Sequence, residues 1–229
     1  FFRPVGLRFG PDGALYIVDW CNPIIGHTQH SFRHPHRDKK HGRIWRVTNV
    51  LKRLLPSFQV KGATIPELLN QLSLLEDNAR YRARRELGSR DSKKVVAAVK
   101  QWTKRLDLNS PERRRLALEG LWVLQHHHSP DEALLKKLLF ASDYRVRAAA
   151  TRVLRYWLNE IPGAAALLTK QANDPDPLVR LETINAASAF RDHRATEIVL
   201  ETLRYHRDYA LVHAFDESMR TLEPYIKSA

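Results

Sequence analysis

Asp143-Tyr144-Arg145-Val146-Arg147-Ala148-Ala149 decides the fold, because its core returns one period later as Asp176-Pro177-Leu178-Val179-Arg180. Aligning the chain on the arginine brings Tyr81-Arg82, Arg114-Arg115, Val146-Arg147, Val179-Arg180 and Val212-His213 into one column, at spacings of 33, 32, 33 and 33 residues. Two more columns keep that register, one of Ala83, Leu116, Ala148, Leu181 and Ala214, the other of Gly88, Leu121, Val153, Ala186 and Met219. A fixed period of this length marks a repeat architecture. Within one period Leu134, Leu135, Leu138 and Leu139 fall at helical spacing, and after Asp143 so do Val146, Ala149, Ala150, Val153, Leu154 and Trp157. Each unit therefore reads as two antiparallel helices. Asn78, Ser110-Pro111, Asp143, Asp176-Pro177 and Asp208 supply start signals, a side-chain acceptor for free N–H groups and, twice, a proline at the first helical position. Neither helix of a pair can bury its apolar stripe alone, whereas stacked pairs can. The prediction is a mostly α fold, an α-solenoid of five helix pairs over residues 64–229.

Upstream the texture changes. Five of the nine glycines and five of the eleven histidines lie in the first 42 residues. Val5-Gly6-Leu7-Arg8-Phe9 alternates, Gly10-Pro11-Asp12-Gly13 is a turn, and Leu15-Tyr16-Ile17-Val18-Asp19-Trp20 resumes the β pattern, which predicts a hairpin. Arg43-Ile44-Trp45-Arg46-Val47-Thr48 is a third strand after a 22-residue connection from Cys21 to Gly42. Residues 1–50 are thus a short antiparallel β segment, and 51–63, punctuated by Pro56 and Gly62, a linker. Three strands cannot bury both faces of a sheet by themselves, so this segment needs neighbours.

Thirty-eight Lys and Arg against 25 Asp and Glu give a formal charge of +13, which favours an acidic partner: nucleic acid, anionic lipid or an acidic protein face. Residues 51–229 hold 30 of these cations and 22 of the anions, with arginines clustered at Arg80, Arg82, Arg84 and Arg85 and at Arg113, Arg114 and Arg115. No aromatic interleaving of the kind that stacks bases accompanies them, so an acidic protein is favoured over nucleic acid. The single cysteine, Cys21, excludes an internal disulfide, a Cys-rich zinc site and a CxxCH haem attachment, and reads as a small packed residue. No apolar run approaches the ~18 residues of a membrane helix. There is no Walker loop, no GxGxxG and no GxSxG, which removes support for nucleotide hydrolysis and serine hydrolysis. The chain opens at Phe1 without Met or a signal peptide, which suggests a fragment or a processed product. His126-His127-His128 closes a helix and reads as capping of that helix's C-terminus.

The 22-residue connection carries His27, His30, His34, His36 and His41 with Arg33, Arg37, Lys39 and Lys40. Imidazoles serve as general bases or metal ligands, and arginines clamp carboxylates. Three readings stay open: a base-and-clamp site, a metal site built from Asp19, His27 and His30 whose spacing matches no zinc motif, and a polar loop whose histidines bond backbone groups while Lys39 and Lys40 are solvated.

Asp143-Tyr144-Arg145-Val146-Arg147-Ala148-Ala149 resembles HEAT-type repeats, and the resemblance extends over roughly residues 65–225. It implies a structural ladder in which Arg82, Arg115, Arg147 and Arg180 meet aspartates of adjoining repeats such as Asp143 and Asp176. Residues 5–20 with Gly42-Arg43-Ile44-Trp45-Arg46-Val47 resemble the last blade of an NHL or quinoprotein-type β-propeller. Asp19-Trp20-Cys21-Asn22-Pro23-Ile24-Ile25-Gly26-His27 and Ser31-Phe32-Arg33-His34-Pro35, leading to His41-Gly42-Arg43-Ile44, are similar to a family of large bacterial membrane-bound dehydrogenases that join a sugar-dehydrogenase-like propeller to HEAT-like repeats. That resemblance implies a dehydrogenase acting on a sugar or alcohol, upstream propeller blades in the same polypeptide, pyrroloquinoline quinone as cofactor of the full-length protein, an extracytoplasmic (periplasmic) location, and a protein partner or electron-accepting domain for the solenoid. It places the long connection beside the active site, with His27 or His30 as base and Arg33 as clamp on the quinone. The haem domain common in the family has no motif here. The competing reading is a non-catalytic scaffold that binds an acidic protein or nucleic acid, residues 1–50 capping its first repeat.

Overall fold

The structure, a computed structural model, describes residues 1–26, 29–56 and 58–226. It divides into two compact units, Phe1–Glu86 and Leu87–Ala229.

The first unit opens with an antiparallel meander of β1 (Pro4–Phe9), β2 (Leu15–Asp19) and β3 (Arg43–Val47), in the order β1-β2-β3. The hairpin turn forms as its residues dictate. The Gly10 N–H donates to the Ala14 carbonyl at 2.8 Å, and Gly13 takes φ 76°, a conformation that strains any residue with a Cβ. Leu7, Ile17 and Trp45 lie abreast across the strands, as do Phe9, Leu15 and Val47, while Gly6, Val18 and Ile44 form a row on the opposite face. Asp12 anchors β3 to the turn, accepting from the Tyr16 hydroxyl at 3.0 Å and from the Arg46 guanidinium at 2.9 and 2.6 Å. Its carbonyl accepts the Leu55 N–H at 2.9 Å, and the described residues of 51–63 carry neither helix nor strand.

Ten helices follow as five consecutive pairs among the described residues: α1 (Ile65–Gln71) and α2 (Asp77–Gly88), α3 (Ser92–Lys104) and α4 (Pro111–His126), α5 (Glu132–Leu139) and α6 (Tyr144–Leu154), α7 (Ala164–Ala172) and α8 (Pro177–Ala187), α9 (His193–Glu201) and α10 (Tyr209–Ile226). The fold is mostly α, a HEAT-like array of helix pairs preceded by a small antiparallel sheet. Ser110, Asp143, Asp176 and Asp208 cap their helices through side-chain oxygens. Thr64, Asp91, Asp131 and Asp192 do the same for α1, α3, α5 and α9, the first as a full capping box with Glu67. Asn78 is the exception. It lies inside α2, and its amide donates to the Phe9 carbonyl at 2.5 Å. In the second unit α6 packs against α4 and α8, and α8 against α10, burying Leu121, Leu154, Trp157 and Ile184.

One contact recurs pair after pair. The fourth residue of α2, α4, α6 and α8 is an arginine, respectively Arg80, Arg114, Arg147 and Arg180. Its Nη1 donates to the carbonyls six and five residues back: Leu74 and Leu75, Leu108 and Asn109, Ala141 and Ser142, Asp174 and Pro175. These carbonyls belong to the turn that joins the two helices of a pair, so one guanidinium closes each turn. Arg147 then reaches the next pair, where Asp174 receives its Nε and Nη2 at 2.6 and 2.9 Å. Arg180 reaches the His206 carbonyl at 3.1 Å and lies 4.9 Å from the Tyr205 ring centroid.

This corrects the expected ladder. Arg147 and Arg180 stand where expected, whereas the clamps of the first two turns are Arg80 and Arg114, neighbours of the expected Arg82 and Arg115. The carboxylate bonded to Arg147 is Asp174, with Asp143 and Asp176 acting on that arginine through their charge alone. Asp143 is held by the backbone and guanidinium of Arg145, and Asp176 accepts the Leu178 N–H. Both cap their own helices. The residue two positions ahead of the cap is the one that faces the preceding repeat's arginine.

The two aspartates of one turn should therefore respond differently to the same substitution. Asp174→Asn breaks a two-bonded ion pair with both side chains largely buried and should lower the unfolding free energy by about 2 kcal/mol. Asp176→Asn replaces one good cap by another and should cost only a few tenths of a kcal/mol. Urea unfolding followed by circular dichroism separates the two.

Candidate functional site

The connection between β2 and β3 is held by four side chains. Asp19, 1% exposed, ends β2 with four donors on its carboxylate. Oδ1 accepts the N–H groups of Arg3 and Cys21 at 2.7 and 2.9 Å, and Oδ2 accepts the Trp45 indole at 2.8 Å and the Arg43 guanidinium at 2.9 Å. Burial opposes its ionisation. The Trp45 indole, the two backbone N–H groups and the Arg43 charge outweigh that and lower the pKa from 3.8 to about 2. Cys21, half-buried, follows in the left-handed region at φ 43°.

Asn22, 3% exposed, bridges the two ends of the connection: its amide donates to the Asp38 carbonyl at 2.9 Å and its oxygen accepts the Ile24 N–H at 3.2 Å. Arg37 gathers the middle, donating to the carbonyls of Ser31, Gly26 and His30 at 3.0–3.1 Å, with its guanidinium 5.3 Å from the Phe32 ring centroid. Asp38 closes the far end, accepting the N–H groups of Lys40 and His41 and pairing with the His41 ring at 3.0 Å. The Lys40 N–H chiefly holds its carboxyl below the usual range, against burial and with help from His41.

Against this framework the expected site residues fall apart. His27 lies outside the described residues. His30 and Arg33 are exposed, and among the described residues no hydrogen bond or ion pair engages either side chain. His30 takes part in the framework through its carbonyl, and Arg33 through its N–H, which donates to the Ser31 hydroxyl at 3.1 Å. Asp19, offered as a metal ligand, has both oxygens engaged by donors. Among the described residues no group of three or more His, Cys, Asp or Glu is placed to hold a metal ion. The residues that organise the connection, Asn22, Arg37 and Asp38, carried little signal. Asp38 followed by two residues whose N–H groups turn back on it is the Asx-turn pattern and was the one readable clue.

The histidine run closes α4 as expected, with His127 at its C-cap, and its rings do more. His126 and His127 place their Nε2 atoms 3.1 Å from the carbonyls of Gly88 and Leu87, and His127 Nδ1 lies 2.9 Å from the Ser92 hydroxyl. The rings thus reach carbonyls of a different helix segment within the second unit, while the His127 and His128 N–H groups cap α4 itself by donating to the Val123 and Gln125 carbonyls at 3.2 and 3.1 Å.

Two family matches accompany this geometry. Residues 1–50 match a domain of unknown function (DUF7133), and residues 130–219 match HEAT repeats, from the cap region of α5 into α10. The chain matches none of the curated proteins.

Asp19 is depressed in the folded state. Its contribution is present above pH 3.8, its ordinary value, and disappears as the pH falls toward about 2. The Trp45 indole N–H resonance should hold its position down to about pH 4 and lose dispersion between pH 4 and 2. Asp19→Asn places an amide N–H among donors. It should weaken the sheet at neutral pH and abolish that acid transition, as NMR titration would reveal.

Proposed function

We propose that this chain joins the closing blade of a quinoprotein-type β-propeller to a HEAT-like interaction module, in an extracytoplasmic protein that oxidises a sugar or alcohol hydroxyl. The observation that supports it is the sheet. Val5 is 66% exposed, Phe9 68% and Ile44 70%, and Leu7, Val18, Trp45 and Val47 are exposed with them, on both faces of three strands. A monomeric protein rarely leaves so much apolar sheet in water, and two apolar faces call for a neighbour on each. Blades on either side of the sheet would provide that cover. The HEAT repeats of 130–219 are an interaction-type repeat module, here read as a docking surface for a protein partner or an electron-accepting domain.

Within this reading the β2–β3 connection contributes to the mouth of the propeller. The Arg33 guanidinium, which has no partner among the described residues, fits a clamp on a quinone carboxylate. His27 or the exposed His30 would take the proton of the substrate hydroxyl. Pyrroloquinoline quinone, when bound, would supply a two-electron acceptor. Arg37 and Asp38 would hold the connection's backbone in place around these groups.

The test is the native gene product. An intact mass well above 26.5 kDa, with the added residues ahead of Phe1, and quinone-dependent oxidation of sugars or alcohols are expected. Loss of the base in that full-length protein (His27→Ala and His30→Ala, made separately) should lower kcat about 100-fold in one of the two, and Arg33→Ala should raise the quinone concentration needed for half activity. A native product that begins near Phe1, or a full-length protein inert toward every hydroxyl substrate with quinone supplied, overturns the reading.

A further inference from the structure

From Arg33 to Lys40 the β2–β3 connection brings four cations and one anion onto a surface turn. Arg37 is engaged by three carbonyls, and the Asp38 carboxylate by the backbone of Lys40 and His41 and by the His41 ring. The charged heads of Arg33, Lys39 and Lys40 are exposed and without a partner among the described residues. The turn therefore presents three free cations whose nearest acid in sequence is already neutralised internally.

We infer that this turn is a docking surface for an acidic segment of a protein partner, read through the partner's Asp and Glu carboxylates. The backbone decides between carboxylates and phosphates. Phosphate sites draw on clusters of free backbone N–H groups. Here six of those groups are satisfied from within and leave no cluster of free donors: the N–H of Arg33 by the Ser31 hydroxyl, of His34 by the Ser31 carbonyl, of His36 by His34 Nδ1, of Arg37 by the His34 carbonyl, and of Lys40 and His41 by Asp38. Asp38 fills the anion nest that a phosphate would need. Phe32, 61% exposed, has Arg37 beside its ring, so it is not a free stacking platform for a base. What remains is side-chain charge on long, mobile stems, which suits carboxylates spread along a protein segment. The inference needs neither quinone nor catalytic base, and it is tested at Lys39 and Lys40, to which the dehydrogenase reading gives no role.

A fluorescein-labelled oligoglutamate peptide is the probe, followed by anisotropy against the native protein. Binding should weaken steeply as salt is raised. Lys39→Glu with Lys40→Glu should weaken it about tenfold or more, and Lys39→Gln with Lys40→Gln should fall between, with unchanged circular dichroism in both. Dehydrogenase turnover, if present, should survive these substitutions, so failure here and failure of the enzyme reading are distinguishable. Oligoglutamate binding that is indifferent to both variants overturns the inference. So does tighter, Lys39- and Lys40-dependent binding of a single-stranded oligonucleotide or of phosphatidylserine vesicles, which would assign the turn to a phosphate-bearing partner.

Discussion

The helical part of this molecule depends on one guanidinium per turn. A helix pair leaves carbonyls unpaired where its first helix ends, and the chain must reverse within a few residues. Arg80, Arg114, Arg147 and Arg180 each reach back across that reversal and take two of those carbonyls. A cation there also meets the negative end of the preceding helix. Fixing the turn fixes the angle between the helices of a pair, and so which leucines and alanines face the neighbouring pair. Asp174 extends the device across a pair boundary, and the His206 carbonyl does so one pair later. In the fifth pair the fourth position of α10 is Val212, which cannot make the clamp.

That use of arginine changes the meaning of the net charge. A surplus of +13 invites a nucleic-acid reading, yet four of the arginines in the helical region close turns, and Arg152 is paired with Glu182, itself 6% exposed. Cations held this way are architecture. Phosphate contacts need guanidinium and ammonium groups that are free to release counterions.

The repeat period, the helix pairs, the hairpin and most caps were legible because each rests on a local pattern with a direct geometric consequence. Arg147 and Arg180 were legible too, but the ladder's first two arginines were misplaced by two residues and by one for an equally physical reason. Arg113, Arg114 and Arg115 differ only by about 100° of rotation each around α4, and sequence does not show which of them looks back at Leu108 and Asn109. Arg80, Arg82, Arg84 and Arg85 pose the same ambiguity in α2. An arginine bonded to carbonyls leaves no complementary acid to find, so the alignment followed the apolar column of Ala83, Leu116, Ala148, Leu181 and Ala214 instead. The histidine run was legible as the cap of α4, but not the acceptors of its rings, because Leu87 and Gly88 lie almost forty residues away. In the β2–β3 connection, composition named every candidate without ordering them, because Arg37 is distinguished from Arg33 only by the three carbonyls that fold around it.

The two units differ in what they leave unmet. In the second, a core of leucines, valines and alanines is buried from α3 to α10, most helix ends are capped, and three of the four helix-pair turns are closed by an arginine, so its surface is free to be chosen for binding. In the first, Asp12 and Asp19 secure the strands firmly, one at the hairpin turn through Arg46 and the other at the opposite end of β2 through Arg43 and Trp45. That polar fastening holds a sheet whose faces still show Val5, Leu7, Phe9, Val18, Ile44, Trp45 and Val47 to solvent. A sheet made rigid at both ends and left apolar on both faces is built to be packed against. The part of this protein that demands a neighbour is therefore the small β segment, and the helical array, complete in its own packing, is the part that can select one.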